Sequence, residues 1–199
     1  MKNLIYIFSF VFFFGSNTIS AQEDQGQSPI YDYAELKITK SDTIPDYESM
    51  VNKLKITGTI YQSDGVTPAE NVLLYIEQPN ENGDFDLIEE NDKRYVHHRA
   101  WVKTDADGHY TIYTFVPGGD RRYNQLQQIF PMVKEEAKKE YALETFLFDE
   151  DPLLSRACRK KITKKGDPTR ILSLKKEDGL LVAQRDIILN SNSSNSKTL

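Results

Sequence analysis

The chain has 199 residues, of which 39% are hydrophobic and 28% charged, and a net charge of −5; this describes one domain with appendages and an ordinary globular composition. Neither sign of charge gathers on a single motif, which excludes a nucleic-acid surface as a working reading. Cys158 is the only cysteine, so no intramolecular disulfide can form and a hydrophobic core must hold the fold.

Met1 to Ala21 stands apart from the rest of the chain. Lys2 supplies a positive start, Leu4 to Phe14 an apolar run, and Asn17 to Ala21 a small-residue approach to a cut after Ala21, the pattern of a secretory signal peptide. The run falls short of the roughly 20 apolar residues a permanent anchor needs. The mature chain is therefore expected to be secreted or periplasmic, with no membrane span. Residues 22–52 are expected to form a polar N-terminal arm lying on the domain through Tyr31, Tyr33 and Tyr47, and residues 190–199 a disordered Ser/Asn tail.

The domain proper spans residues 53–189. Leu54, Ile56, Gly58 and Ile60 alternate with Lys55, Thr57 and Thr59, the period of a half-buried strand. A turn at Ser63-Asp64-Gly65 leads to Val72–Ile76, a continuous apolar run suited to a core strand, and the acidic segment Asp84–Asp92 reads as a variable loop. Trp101–Lys103 and His109–Phe115 flank Asp105-Ala106-Asp107-Gly108, a strong hairpin signal. Tyr141–Phe148 alternates like a strand, Leu153–Lys165 has helical spacing with a basic face, and Ile171–Leu174 and Leu180–Leu189 close the domain around the turn Lys176-Glu177-Asp178-Gly179. About seven short strands with one short helix imply an all-β antiparallel β-sandwich.

The order of these pieces resembles the intradiol ring-cleavage dioxygenases, in particular small secreted bacterial members of that superfamily. The matching segments are Gly58-Thr59-Ile60-Tyr61 with Asp64-Gly65 and Pro68-Ala69-Glu70-Asn71-Val72, then Thr104-Asp105-Ala106-Asp107-Gly108-His109-Tyr110, Phe148-Asp149-Glu150-Asp151-Pro152-Leu153-Leu154, and Gln184-Arg185-Asp186-Ile187-Ile188-Leu189. The resemblance implies an intradiol dioxygenase or prealbumin-like sandwich. In that family two tyrosinates and two imidazoles hold Fe(III), hard anionic and borderline donors that leave room for a chelating catechol.

Carried onto this chain, the family's ligand positions fall at His97, by an ungapped count from Trp101, at Asp120 after Pro117-Gly118-Gly119, and at Gln128 and Phe130 in place of a His-x-His pair. These are substituted positions, and Phe130 has no donor atom. A slip of a few residues would offer Tyr95 and Tyr123 as phenolates with His97 or His98 as imidazoles, but all three histidines precede the strand where the His-x-His pair is expected. The chain is thus expected to be a diverged, non-catalytic or binding homologue with no cofactor, taking Fe(III) only if the family-type site is retained. A pocket left at that place would suit a small aromatic or polysaccharide-related ligand. Two other readings stay open: an active non-haem iron dioxygenase acting on catechol-type aromatics, and an extracytoplasmic carboxypeptidase-regulatory-like binding module.

Plainer readings cover several other features. His97 and His98, adjacent on a strand, would point to opposite faces and not share one ion, although another metal held through His97, His98, Asp120 or Tyr123 remains a further option. Asp105 and Asp107 lack the following Glu of a calcium loop and make a β-turn. Arg121-Arg122 could hold an anion, and Cys158 reads as a packing residue.

Overall fold

The computed structural model describes residues 28–33, 37–90 and 92–191. The expected signal peptide lies outside the described residues, as does the tail beyond residue 191. Strands run in the order β1 (Ser41–Thr43), β2 (Lys53–Tyr61), β3 (Leu73–Glu77), β4 (Leu87–Glu90), β5 (Lys93–Val96), β6 (Arg99–Lys103), β7 (His109–Phe115), β8 (Gln128–Lys134), β9 (Tyr141–Ala142) and β10 (Phe146–Phe148). After them come helix α1 (Arg156–Lys165) and strands β11 (Ile171–Leu172), β12 (Lys175–Glu177), β13 (Leu180–Gln184) and β14 (Ile187–Ile188).

Two six-stranded sheets form the sandwich. One runs β1-β7-β2-β13-β12 with β14 also on β2, the other β11-β10-β8-β3-β6 with β9 on β8. The expected all-β sandwich with one short helix is borne out. Its pairing is mixed, because β1–β7, β2–β13, β2–β14 and β10–β11 run parallel.

Alternation decides which side chains meet between the sheets. On β2, Leu54, Ile56 and Ile60 are buried while Lys53, Lys55 and Thr57 are half-exposed. Tyr110 and Ile112 of β7, Leu74 and Ile76 of β3, Val102 of β6, Ile129 and Val133 of β8, and Phe146 and Phe148 of β10 meet them in one core. The apolar run of β3 has a second cause. Leu73 and Tyr75 face outward from the sandwich with Trp101, and Ile30, Tyr31, Tyr33 and Ile38 of the N-terminal segment pack over them. That segment also supplies β1, which joins β7 in register Ser41↔Thr111 to Thr43↔Tyr113.

The turn Asp105-Ala106-Asp107-Gly108, expected as a hairpin, is a crossover. Gly108 N–H donates to Asp105 O at 2.9 Å, so the turn forms, but β6 belongs to the β3 sheet and β7 to the β2 sheet. The Asp64-Gly65 turn likewise leads from β2 in one sheet to β3 in the other. Turn chemistry fixes a local reversal and leaves the choice of partner strand to the core. By contrast, Asp178-Gly179 makes a true two-residue hairpin, with Glu177 opposite Leu180. The segment read as a variable acidic loop holds the β4–β5 hairpin, register Leu87↔Val96 to Glu90↔Lys93. Helix α1 begins at Ser155, whose Oγ accepts from Cys158 N–H at 3.2 Å. Cys158 itself is exposed, contrary to the packing role expected of it.

The first crossover is fastened by Thr104. Its buried hydroxyl accepts from Val72 N–H at 2.9 Å and donates to Ala69 O at 2.7 Å. Thr104→Val keeps the shape and strands both backbone groups, so it should cost about 2 kcal/mol or more, measured by urea denaturation. A wild-type midpoint would contradict this.

Candidate functional site

Strand β8 begins at the positions the family resemblance singles out. Its burial alternates, with Ile129 and Val133 in the core and Gln128 and Phe130 on the opposite, half-buried face. Phe130 stacks at a tilt on Phe85, ring centroids 5.6 Å apart. Phe85 comes from the loop between β3 and β4, and that loop is pinned to the Pro117-Gly118-Gly119 turn. Asn80 O accepts from Gly118 N–H at 2.9 Å, and Gln125 Nε2 donates to Gly83 O at 3.2 Å. The approach is close enough that a Cβ on Gly118 would lie 2.6 Å from Asn82 C, so only glycine fits there.

Asp120 follows that turn and pairs with Gln125 through both backbone hydrogen bonds, 3.0 and 2.8 Å. Its carboxylate accepts from the Arg122 N–H at 2.7 Å and from the Arg122 guanidinium at 3.1 Å. Those bonds hold its pKa below the usual carboxylate range. Arg122 is thereby paired with Asp120, with its side chain 80% exposed. Tyr123, at the tip of this small hairpin, is 78% exposed. On the β4–β5 hairpin, Tyr95 OH donates to Glu90 at 2.9 Å and its ring lies 3.6 Å from the Arg99 guanidinium. The bond to Glu90 raises its pKa, which disfavours the phenolate.

Entry to β8 is held by the Asp-Pro-Leu segment. The carboxylate of Asp151, buried, accepts from Gln127 N–H and from Leu153 N–H, each at 2.8 Å. Asp151 thus ties the turn after β10 to the residue preceding Gln128.

His97 and His98 fall in a bend between β5 and β6, outside any strand. The pleat that would send adjacent side chains to opposite faces does not operate there, and the two rings lie 5.0 Å apart. His97 Nε2 sits 2.7 Å from Asp46 Oδ2. One ligand atom each from Asp46, His97 and His98 lies within 4.8 Å of the other two. The expectation that the histidines diverge is therefore corrected. His98 is 2% exposed, packs edge-on against Phe115 at 5.1 Å, and has its pKa lowered by burial and by neighbouring His97.

The structure brings Phe85, not His97, onto Phe130, while His97 turns to Asp46. The overlooked signal was the turn Asn80-Glu81-Asn82-Gly83 followed by an aromatic residue. Asp105, Asp107 and His109 also converge. There the Asp105 carboxylate is occupied by Lys40 at 2.9 Å and by the Asp107 and His109 N–H groups at 3.1 and 2.8 Å, the β-turn expected.

No protein-family model and no curated protein matches the chain. Solved structures do. The dioxygenase domain of a dioxygenase and carbohydrate-binding protein fusion from Streptomyces sp. SirexAA-E aligns over 77% of this chain and 88% of its own, with a TM-score of 0.58 and 18% identity. An intradiol ring-cleavage dioxygenase from Tetranychus urticae aligns over 79% and 89%, with a TM-score of 0.56 and 15% identity. Catechol 1,2-dioxygenase from Pseudomonas arvilla C-1 gives a TM-score of 0.59 at 13% identity, over 79% of this chain and only 58% of the enzyme's length. Similarity at this level is a likeness of backbone and not of chemistry. The chain has the fold of the intradiol ring-cleavage dioxygenases.

Proposed function

We propose that this chain is a diverged, extracytoplasmic protein of the intradiol dioxygenase fold that binds a ligand without cleaving a catechol ring. The observation that carries the reading is the stack of Phe130 on Phe85, together with the pairing of Asp120 with Arg122. A ferric centre needs anionic phenolates and neutral imidazoles converging on one point. Phe130 and Phe85 have no donor, Gln128 offers a neutral amide, and Asp120 has a cationic partner. These residues do not fit the ion, and no chemical step is derived through it.

The extracytoplasmic part of the proposal rests on Lys2, the apolar run Leu4–Phe14 and the small residues before Gln22. Among the described residues no helix is long and apolar enough to cross a membrane. A binding role is supported by an open groove of about 500 Å³ over the outer face of β3, where Tyr31, Tyr33 and Leu73 meet Lys103 and Lys134. Aromatic faces beside hydrogen-bonding cations suit a small aromatic or a sugar.

The test is oxygen consumption with catechol after incubation of the protein with iron. The expected result is no uptake above a protein-free control. Turnover that depends on the protein and scales with its concentration would overturn the proposal.

A further inference from the structure

We propose that Asp46, His97 and His98 form a binding site for a divalent transition-metal ion, with Asp86 beside it as the second carboxylate. This site is separate from Asp120, Gln128 and Phe130, and it uses imidazole and carboxylate donors instead of phenolates. Imidazole with carboxylate is the donor set preferred by zinc and its divalent neighbours.

Three elements distant in sequence meet here. Asp46 has φ 61°, a left-handed conformation uncommon for a non-glycine residue, at the start of the 3-10 turn Tyr47–Ser49. That conformation sets its carboxylate against His97 Nε2, 51 residues away in sequence. The two histidines are fixed from the backbone, with His97 N–H donating to Asp86 O at 2.8 Å and His98 O accepting from Gln78 N–H at 3.1 Å. Asp86 is itself held by Asn80 Nδ2 at 2.9 Å. The donors are therefore largely placed before any ion arrives, which lowers the ordering cost of binding.

Independent support comes from His98 Nδ1. This atom is buried and has no hydrogen-bond partner, a costly condition for a polar nitrogen. The nearest carboxylate oxygen is Asp86 Oδ2 at 3.7 Å. That is beyond a hydrogen bond, so the nitrogen is left without a partner beside Asp46 and His97, whose ligand atoms lie within 4.8 Å of one from His98. Between His97 and Asp46, an ion would replace the proton they share at 2.7 Å. Asp86 stands outside the three donors that lie within 4.8 Å of one another, so it adds negative charge beside the ion and not a fourth ligand. The side chains of Asp46 and Asp86 are 58% and 48% exposed, so the site opens to solvent on the carboxylate side and is closed on the side of His98 and Phe115.

The experiment is titration of tag-free, chelator-treated protein with Co(II), followed by visible absorption and by calorimetry, then displacement by Zn(II). The expected result is saturation at one ion per chain. Asp46→Asn and His97→Gln should each weaken binding at least about tenfold. Both residues lie at the open side, so these variants should keep their fold, checked by circular dichroism and melting temperature. His98 sits in the interior, where a substitution would mix loss of folding with loss of binding. Asp105→Asn with His109→Gln, on the other cluster, should bind as wild type. Absence of stoichiometric binding, or wild-type affinity in both Asp46→Asn and His97→Gln, would overturn the site. A tyrosinate–iron charge-transfer band that persists in Asp46→Asn and His97→Gln would argue against the functional proposal above without touching this one.

Discussion

Gly58→Ala should be among the most damaging single substitutions outside the large core side chains. A Cβ at this position would lie 2.6 Å from Arg185 C, closer still to its carbonyl oxygen, and 3.1 Å from Tyr110 Cε1. The obstacle cannot rotate away, because it is backbone held on both sides. Arg185 N–H donates to Thr57 O at 2.8 Å, and Arg185 O accepts from Tyr110 OH at 2.7 Å. The added methyl must therefore prise β2 from the segment joining β13 to β14. Overpacking against fixed backbone costs about 3 kcal/mol or more, a fall in Tm on the order of 10 °C for a domain of this size. Tyr110→Phe removes only the hydrogen bond to the same carbonyl and should cost about 1 kcal/mol. Equal melting temperatures for Gly58→Ala and wild type would show that the two strands are not so closely apposed.

Phe115→Ala should lose a comparable amount of stability and also loosen the histidine pair. Phe115 is 0% exposed at the end of β7 and bears on His98 at an interplanar angle of 89°. Its carbonyl accepts from the buried Gln78 Nε2 at 3.1 Å, whose Oε1 takes the Thr114 hydroxyl at 2.6 Å. Truncation leaves a cavity beneath His98 and should cost about 3–5 kcal/mol. Phe115→Leu fills most of that volume and should cost less than half as much. Thermal melts of the two variants check the order. If alanine and leucine destabilise alike, the ring is not what supports His98.

The sequence was most legible where burial follows a simple period. Leu54, Ile56 and Ile60 could be placed inward from alternation alone, and the Asp178-Gly179 hairpin from its turn residues. Other features depended on partners far along the chain. The run Leu73–Ile76 reads as doubly buried, but only the structure reveals that Ile30 and Tyr31 cover its outer side. The β4–β5 hairpin escaped because its residues are mostly exposed and half of them are charged, leaving no apolar period to read.

The same limit applies to the candidate metal group. Adjacent histidines diverge only if the backbone around them is pleated, and residues 97–98 are in a bend. Nothing local in the sequence marks Asp46 as their partner. Asp120 and Phe130, by contrast, were singled out in advance by the family resemblance. Their partners, Arg122 and Phe85, became visible only in three dimensions.

The central claim is that this fold has been kept while the ferric chemistry of its place on β8 has been lost. It is tested most directly by the visible spectrum and iron content of the protein purified from iron-replete cells. The expected result is no tyrosinate-to-iron charge-transfer band and iron far below one atom per chain. A coloured protein carrying about one iron per chain, its colour bleached by catechol under anaerobic conditions, would contradict it.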